Sequence, residues 1–313
     1  MGHDHDHGHH GHSHAPAGVS TRTLASAVIV TLLFVFAEAA AGWWAQSLAL
    51  LSDALHNLAD AAALALSWYG LRIAARPSHH GMTFGYHRVG ILAALVNAVT
   101  LVVIAVFIGW EAIARLLHPA PADGGLMIVV AAAAVVINTT ISLWLRRAAA
   151  DDVNVRSAYL HMVGDAVSAA GVLVAGAIVL WTGSAIADPA VSLAIAVLIL
   201  WSSWGLLRQT TAVLLEGTPP GTDMDAVVRA ISGVRGVINV HDLHVWMVGP
   251  GVVACSCHIL VADQSIREGR QVLRAVVDEV AHRFGISHTT VQVEVEGCEA
   301  TDMYCNPQRL GAP

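Results

Sequence analysis

Six apolar runs, near residues 24–46, 48–74, 89–112, 125–146, 153–181 and 187–209, occupy most of this 313-residue chain. Crossing roughly 30 Å of hydrocarbon takes about 20 helical residues, and every run is long enough. Backbone polar groups in lipid must be satisfied within the segment, so the runs are predicted to be six transmembrane helices. Buried helices of a soluble core fail on length and on number. Eight of the nine tryptophans fall inside the runs, among them Trp43, Trp44, Trp110, Trp144 and Trp181 towards the ends. That distribution suits the two membrane–water interfaces. Only 12% of residues are charged, about half the share in a soluble domain, and the deficit is local to the stretch from residue 24 to residue 210.

Arginine orients the helices, since all sixteen basic residues are Arg. Arg22 precedes the first run, and Arg72, Arg76 and Arg88 flank the loop between the second and third. Arg146, Arg147 and Arg156 flank the loop between the fourth and fifth, and Arg208 closes the sixth. The opposite side carries only Arg115. The positive-inside rule then places both termini in the cytosol, in a bacterial cytoplasmic membrane. A net charge of −7 with no basic cluster argues against nucleic acid as a partner.

The remaining sequence divides by composition. Residues 1–20 hold seven histidines interleaved with Asp and Gly in the first fourteen positions, a disordered tail with metal-binding capacity. No cleavable signal is expected, because the first apolar run is too long. Residues 21–210 form a six-helix membrane domain and 211–300 a cytosolic α+β domain, followed by a flexible tail at 301–313. Within the cytosolic part, a helix at 223–233 starts on an Asp cap. Strands at 237–247 and 252–262 flank a Gly-Pro-Gly turn, a helix covers 265–284, and TTVQVEVE at 289–296 alternates as a strand. The four cysteines, Cys255, Cys257, Cys298 and Cys305, fit neither a zinc ribbon nor a disulfide scaffold and read as reduced thiols.

The second run contains SDALHNLAD, with His56 and Asp60; the fifth contains HMVGD, with His161 and Asp165. A spacing of four puts each His beside its Asp on one helix face. Ionisable groups in a membrane cost several kcal/mol and face a partner or a watery path. Two imidazoles and two carboxylates make a full tetrahedral set for Zn2+; the alternative is two separate His–Asp hydrogen bonds between helices. A ligating His must be neutral and a carboxylate ionised, so protons compete with the metal, and histidine titrates near physiological pH. Asp53 either lines the exit path or is a polar residue at a helix end. Glu38, Glu111 and Asp188 join a relay or lie at an interface.

The runs SLALLSDALHNLADAAAL, TFGYHR, HMVGD, LLEGTP and HDLHVW resemble the cation diffusion facilitator family, most of all its zinc-exporting branch, from about residue 24 to 298. The resemblance implies a homodimer that exchanges metal for protons and carries a ferredoxin-like cytosolic domain. Its transport site falls on His56, Asp60, His161 and Asp165, and His at position 56 is associated with zinc over cadmium. It implies a salt bridge between Arg88 and Glu216, which otherwise read as exposed charges. Relatives hold an accessory metal site in the loop carrying His79, His80 and His87; here Met82 and Tyr86 depart from that pattern, which favours surface histidines. In the cytosolic domain His241 and His258 match family metal positions, with Glu294 and Glu296 where relatives use His and Asp. His244 lies nearby. These residues hold a regulatory metal or form solvated strand edges. Cys255 and Cys257 read as core, and Cys298 and Cys305 could clasp metal in the tail.

Rival functions are a passive metal channel, a membrane metal sensor and an intramembrane metalloenzyme. The last lacks an H-E-x-x-H motif, and four protein ligands leave no open coordination position. There is no G-x-x-x-x-G-K-[ST] loop to drive an ATP pump, and no organic cofactor is expected. Zn2+ enters as substrate and as a regulatory ligand.

Overall fold

The computed structural model describes residues 21–146 and 153–295. The His-rich tail, Arg147, Glu296, Cys298 and Cys305 lie outside the described residues. Six long helices come first: α1 (Thr21–Trp44), α2 (Leu48–Ala74), α3 (Val89–Leu117), α4 (Gly124–Leu145), α5 (Val153–Thr182) and α6 (Ala187–Leu214). Four of them, α3 to α6, are long and apolar enough to cross a membrane. Their outward faces carry bare Val103, Phe107, Trp144, Trp181 and Trp201, as a lipid solvent allows.

The chain packs as two units. Among the described residues, one comprises 21–61, 115–146 and 153–191, the other 62–114 and 192–295. In the first, α4 and α5 cross at two glycines. A Cβ on Gly124 would stand 2.6 Å from both the Gly176 carbonyl oxygen and the Leu180 nitrogen, the close backbone approach that small residues permit between membrane helices. The short α1–α2 turn is held from three directions. The Asp123 amide donates to the Ala45 carbonyl at 2.9 Å, Arg115 Nη1 donates to the Gln46 carbonyl at 2.7 Å, and Asp188 accepts from the start of α2.

The second unit contains the C-terminal domain: α7 (Met224–Ser232), β1 (Val237–Gly249), β2 (Val252–Val261), α8 (Ile266–Phe284) and β3 (His288–Glu294). Each helix start is fixed by a side chain. Asp223 caps α7, and Ser265 with Glu268 forms a capping box on α8, which ends at Gly285 in the left-handed conformation. The Ser265 hydroxyl and amide both donate to Glu268 and hold its carboxyl below the usual range. The sheet order is β1-β2-β3, with β1 antiparallel and β3 parallel to β2. Its core joins Val227 and Ile231 of α7, Leu243, Val245, Ile259 and Val261 of the sheet, and Val272, Val276 and Val280 of α8. Cys255 and Cys257 are buried in it. The Cys255 side chain and then burial push the Cys257 thiol up, so it stays protonated and serves packing.

Candidate metal centre

On α2 and α5 the four residues close into a ring in which imidazoles and carboxylates alternate. His56 Nε2 lies 3.4 Å from Asp60 Oδ2 and 3.7 Å from Asp165 Oδ1. His161 Nε2 lies 3.4 Å from Asp60 Oδ2 and 3.6 Å from Asp165 Oδ2. The cross-helix approaches therefore match those within each helix. All four exceed a good hydrogen bond of roughly 2.7–3.2 Å. They come close to the roughly 3.3–3.6 Å that separates neighbouring ligand atoms around a metal with bonds of about 2.0–2.2 Å. The two rings stand edge to face, 6.1 Å between centroids. Asp60 Oδ2, which faces both imidazoles, is buried without a hydrogen-bond partner. That is the orphan acceptor a bound cation would satisfy.

Depth is graded around the ring. The Asp165 side chain is only 6% exposed, His56 17%, Asp60 24% and His161 43%. Asp53, on the same helix as His56, and Glu38 on α1 are buried.

A second cluster belongs to the C-terminal sheet. His241 and His258 are register partners on β1 and β2, and Glu294 stands on β3. His241 Nε2 is 3.3 Å from Glu294 Oε2, and His258 Nδ1 is 3.0 Å from Glu294 Oε1. Among the described residues this is the group whose ligating atoms all lie within 4.8 Å of one another. A neighbour that sequence reasoning missed is Asp242. It takes φ 49° inside a strand, where β1 slips register between His241 and His244. This bulge brings Asp242 within 3.0 Å of His244 Nε2 and 3.6 Å of His258 Nε2.

The loop histidines are dispersed. His79 uses both ring nitrogens locally, on Tyr86 Oη at 2.9 Å and the Gly81 amide at 3.1 Å. His87 backs onto Gly249, whose added Cβ would stand 2.5 Å from the His87 Cβ. His80 joins neither. Arg88 Nη2 does meet Glu216 Oε1 at 2.9 Å, with both side chains substantially exposed.

Comparison with known proteins places the chain by sequence. Residues 24–215 match the cation efflux transmembrane domain and residues 219–296 the cation efflux protein cytoplasmic domain. A cadmium, cobalt and zinc/H(+)-K(+) antiporter of Bacillus subtilis is 35% identical over 84% of this chain and 85% of its own. The zinc transporter ZitB of Escherichia coli is 37% identical over 87% of each chain. The metal cation efflux system protein CzcD of Cupriavidus metallidurans is 37% identical over 86% of this chain and 85% of its own. Among solved structures, the metal-bound C-terminal domain of the CzcD transporter is 30% identical and covers 24% of this chain and all of its own, with a TM-score of 0.22. An integral membrane protein of helical build with a metal-transport ancestry is the class these findings define. The chain belongs to the cation efflux family, a family of transporters and not of enzymes.

Proposed function

We propose that this protein exports divalent cations, Zn2+ first among them, by exchange for protons at the ring of His56, Asp60, His161 and Asp165. The observation that carries this reading is the equal approach of each imidazole to both carboxylates, 3.4–3.7 Å, around an unpartnered buried oxygen. Two neutral imidazoles and two carboxylates match the donor set Zn2+ takes in tetrahedral sites. The same four groups bind protons when the metal is gone. The named cargo of the relatives, zinc, cadmium and cobalt, supports the substrate class, and the H(+) in one relative's name supports the counter-ion.

In this reading all six long helices span the membrane, α1 and α2 included, and residues 21–210 form the transport domain. Both termini face the cytosol, as arginine placement argues, so the cargo moves outward. Residues 211–300 form a ferredoxin-like domain that supports a homodimer, flanked by the metal-binding tail at 1–20 and a flexible end at 301–313. His241, His258 and Glu294, together with Glu296, hold a regulatory Zn2+. Arg88 and Glu216 tie α3 to the start of that domain, and His79, His80 and His87 remain surface residues of the loop.

Zinc flux into proteoliposomes, with and without an imposed pH gradient, tests this. Wild-type flux should respond to the gradient, and Asp165→Ala should abolish it. Unchanged flux in Asp165→Ala would remove the ring from the mechanism, and flux indifferent to the gradient would mean a passive channel. Competition by Cd2+, Co2+ and Mn2+ ranks selectivity.

A further inference from the structure

A bulge in β1 sets one further carboxylate against the sheet cluster. From His241 to His244 the strand advances three residues, while its partner strand advances two, from His258 to Ser256. Both histidines therefore stand on one face of the sheet. Asp242 takes up the extra residue at φ 49°. A left-handed conformation costs a residue other than Gly on the order of 1–3 kcal/mol, and such positions collect at binding sites. The Asp242 side chain, 19% exposed, lies between two imidazoles. Its Oδ1 accepts from His244 Nε2 at 3.0 Å, and its Oδ2 stands 3.6 Å from His258 Nε2.

His258 is thus flanked by carboxylates at both ring nitrogens. Nδ1 faces Glu294 Oε1 at 3.0 Å and Nε2 faces Asp242. A neutral imidazole has one lone pair and one N–H, and the partner of one nitrogen decides the state of the other. His241 Nε2 and Glu294 Oε2, 3.3 Å apart, are buried without a hydrogen-bond partner. The polar atoms that a cation would satisfy therefore lie on the Glu294 side of the ring, the Nδ1 side. To serve them the lone pair must be on Nδ1 and the hydrogen on Nε2. The opposite tautomer would donate to Glu294 and close the cluster to metal.

We propose that Asp242 is the positioning residue of the sheet cluster: its carboxylate takes the Nε2 hydrogen of His258, fixes the tautomer that offers Nδ1 to a divalent cation, and is itself steadied by His244. Asp242 touches no cation in this assignment and acts through His258 alone. Carboxylates that hold a ligating histidine in this way are worth about 10–100-fold in metal affinity. The inference rests on the reading of His241, His258 and Glu294 as a metal-binding cluster.

The test is the zinc affinity of the full-length protein, by competition with a chromophoric chelator. An Asp165→Ala background takes the ring out of the count, and His258→Ala on that background is the blank for the cluster. Asp242→Gly removes the carboxylate but accepts a left-handed φ without strain, so a residue that served the bulge alone could be replaced without loss. The assignment expects the cluster's zinc Kd to weaken about 10–100-fold in Asp242→Gly, with a Tm within about 2 °C of the parent. Asp242→Asn keeps an acceptor oxygen and should recover part of that affinity. Unaltered affinity in Asp242→Gly, with zinc still lost in His258→Ala, would overturn the positioning role and leave the cluster standing. Zinc binding unaltered by His258→Ala would remove the cluster, and this role with it. A lowered Tm in both substitutions of Asp242, with no recovery in Asp242→Asn, would make the loss one of folding and overturn the assignment.

Discussion

Asp188 holds the start of α2 from 140 residues away in sequence, and its removal should be costly. Its side chain accepts from Ser47 Oγ at 2.5 Å, the Leu48 amide at 2.8 Å and the Ala49 amide at 3.2 Å. Ser47 Oγ in turn accepts from the Leu50 amide at 3.2 Å. One carboxylate thus sits at the N-terminus of α2 while lying in the first turn of α6, where negative charge is favoured by both helix ends. Residue 188 is buried, so Asp188→Ala leaves two amides and a hydroxyl unpaired in a dry place. Each such orphan costs about 1–3 kcal/mol, and some relaxation makes about 3–5 kcal/mol a fair sum. At about 2–4 °C per kcal/mol for chains of 150–250 residues, the apparent Tm in detergent should fall by roughly 10 °C. Asp188→Asn keeps one acceptor and should lose about half of that. Because His56 lies only about 12 Å along α2 from Leu48 at 1.5 Å per residue, zinc affinity should weaken as well. The measurements are thermal melts of purified protein and zinc titration. A fall of less than about 2 °C in Asp188→Ala, with zinc affinity unchanged, would refute the reasoning.

Three further outcomes follow from local geometry. Gly124→Ala puts a methyl 2.6 Å from backbone atoms of α5 and should cost about 1–3 kcal/mol or more, read as a lower Tm with the α4–α5 contact loosened in cross-linking. Gly249→Ala drives a Cβ to 2.5 Å from His87 Cβ and 2.9 Å from the His87 carbonyl oxygen; amide exchange should accelerate around residues 84–88 while the C-terminal core stays protected. In the capping box, bonds from Ser265 lower the Glu268 pKa, so its support of α8 is present above the ordinary carboxylate range and fades as pH falls through the lowered value. Amide exchange at the first turn of α8 should rise with acidification, and Glu268→Ala should flatten that dependence.

Helices α3 to α6 were legible because apolar length alone marks them, and helix ends were less so. The sequence reading stops the third run at residue 112, whereas α3 continues to Leu117. Arg115 is tolerated there because it reaches back to the Gln46 carbonyl, a contact set by tertiary structure. The i, i+4 pairs on α2 and α5 were readable from spacing. That each His meets both Asp depends on how the helices cross, which spacing does not encode. Asp188 looked undecided for the same reason, since its partners are remote. Asp242 was hidden differently: a bulge places it out of alternation, at a left-handed φ that Asp adopts more readily than most residues. Its flanking histidines, His241 and His244 in the run HDLHVW, were the available signal.

The two clusters differ in how firmly the fold holds them. A transport site must bind well enough to load and weakly enough to release. The ring of His56, Asp60, His161 and Asp165 is held by approaches of 3.4–3.7 Å, and the His161 side chain is 43% exposed. One of its two helices, α2, is anchored at its start by Asp188. The sheet cluster is compact, with His241 only 5% exposed and its ligating atoms within 4.8 Å of one another, and it is built across three hydrogen-bonded strands. Rearranging the ring takes a shift between two helices, whereas rearranging the cluster means breaking the sheet. Metal held by the sheet should therefore leave slowly, and metal in the ring should exchange quickly. Dissociation rates after chelator addition should divide into two phases, with Asp165→Ala deleting the fast one and His258→Ala the slow one.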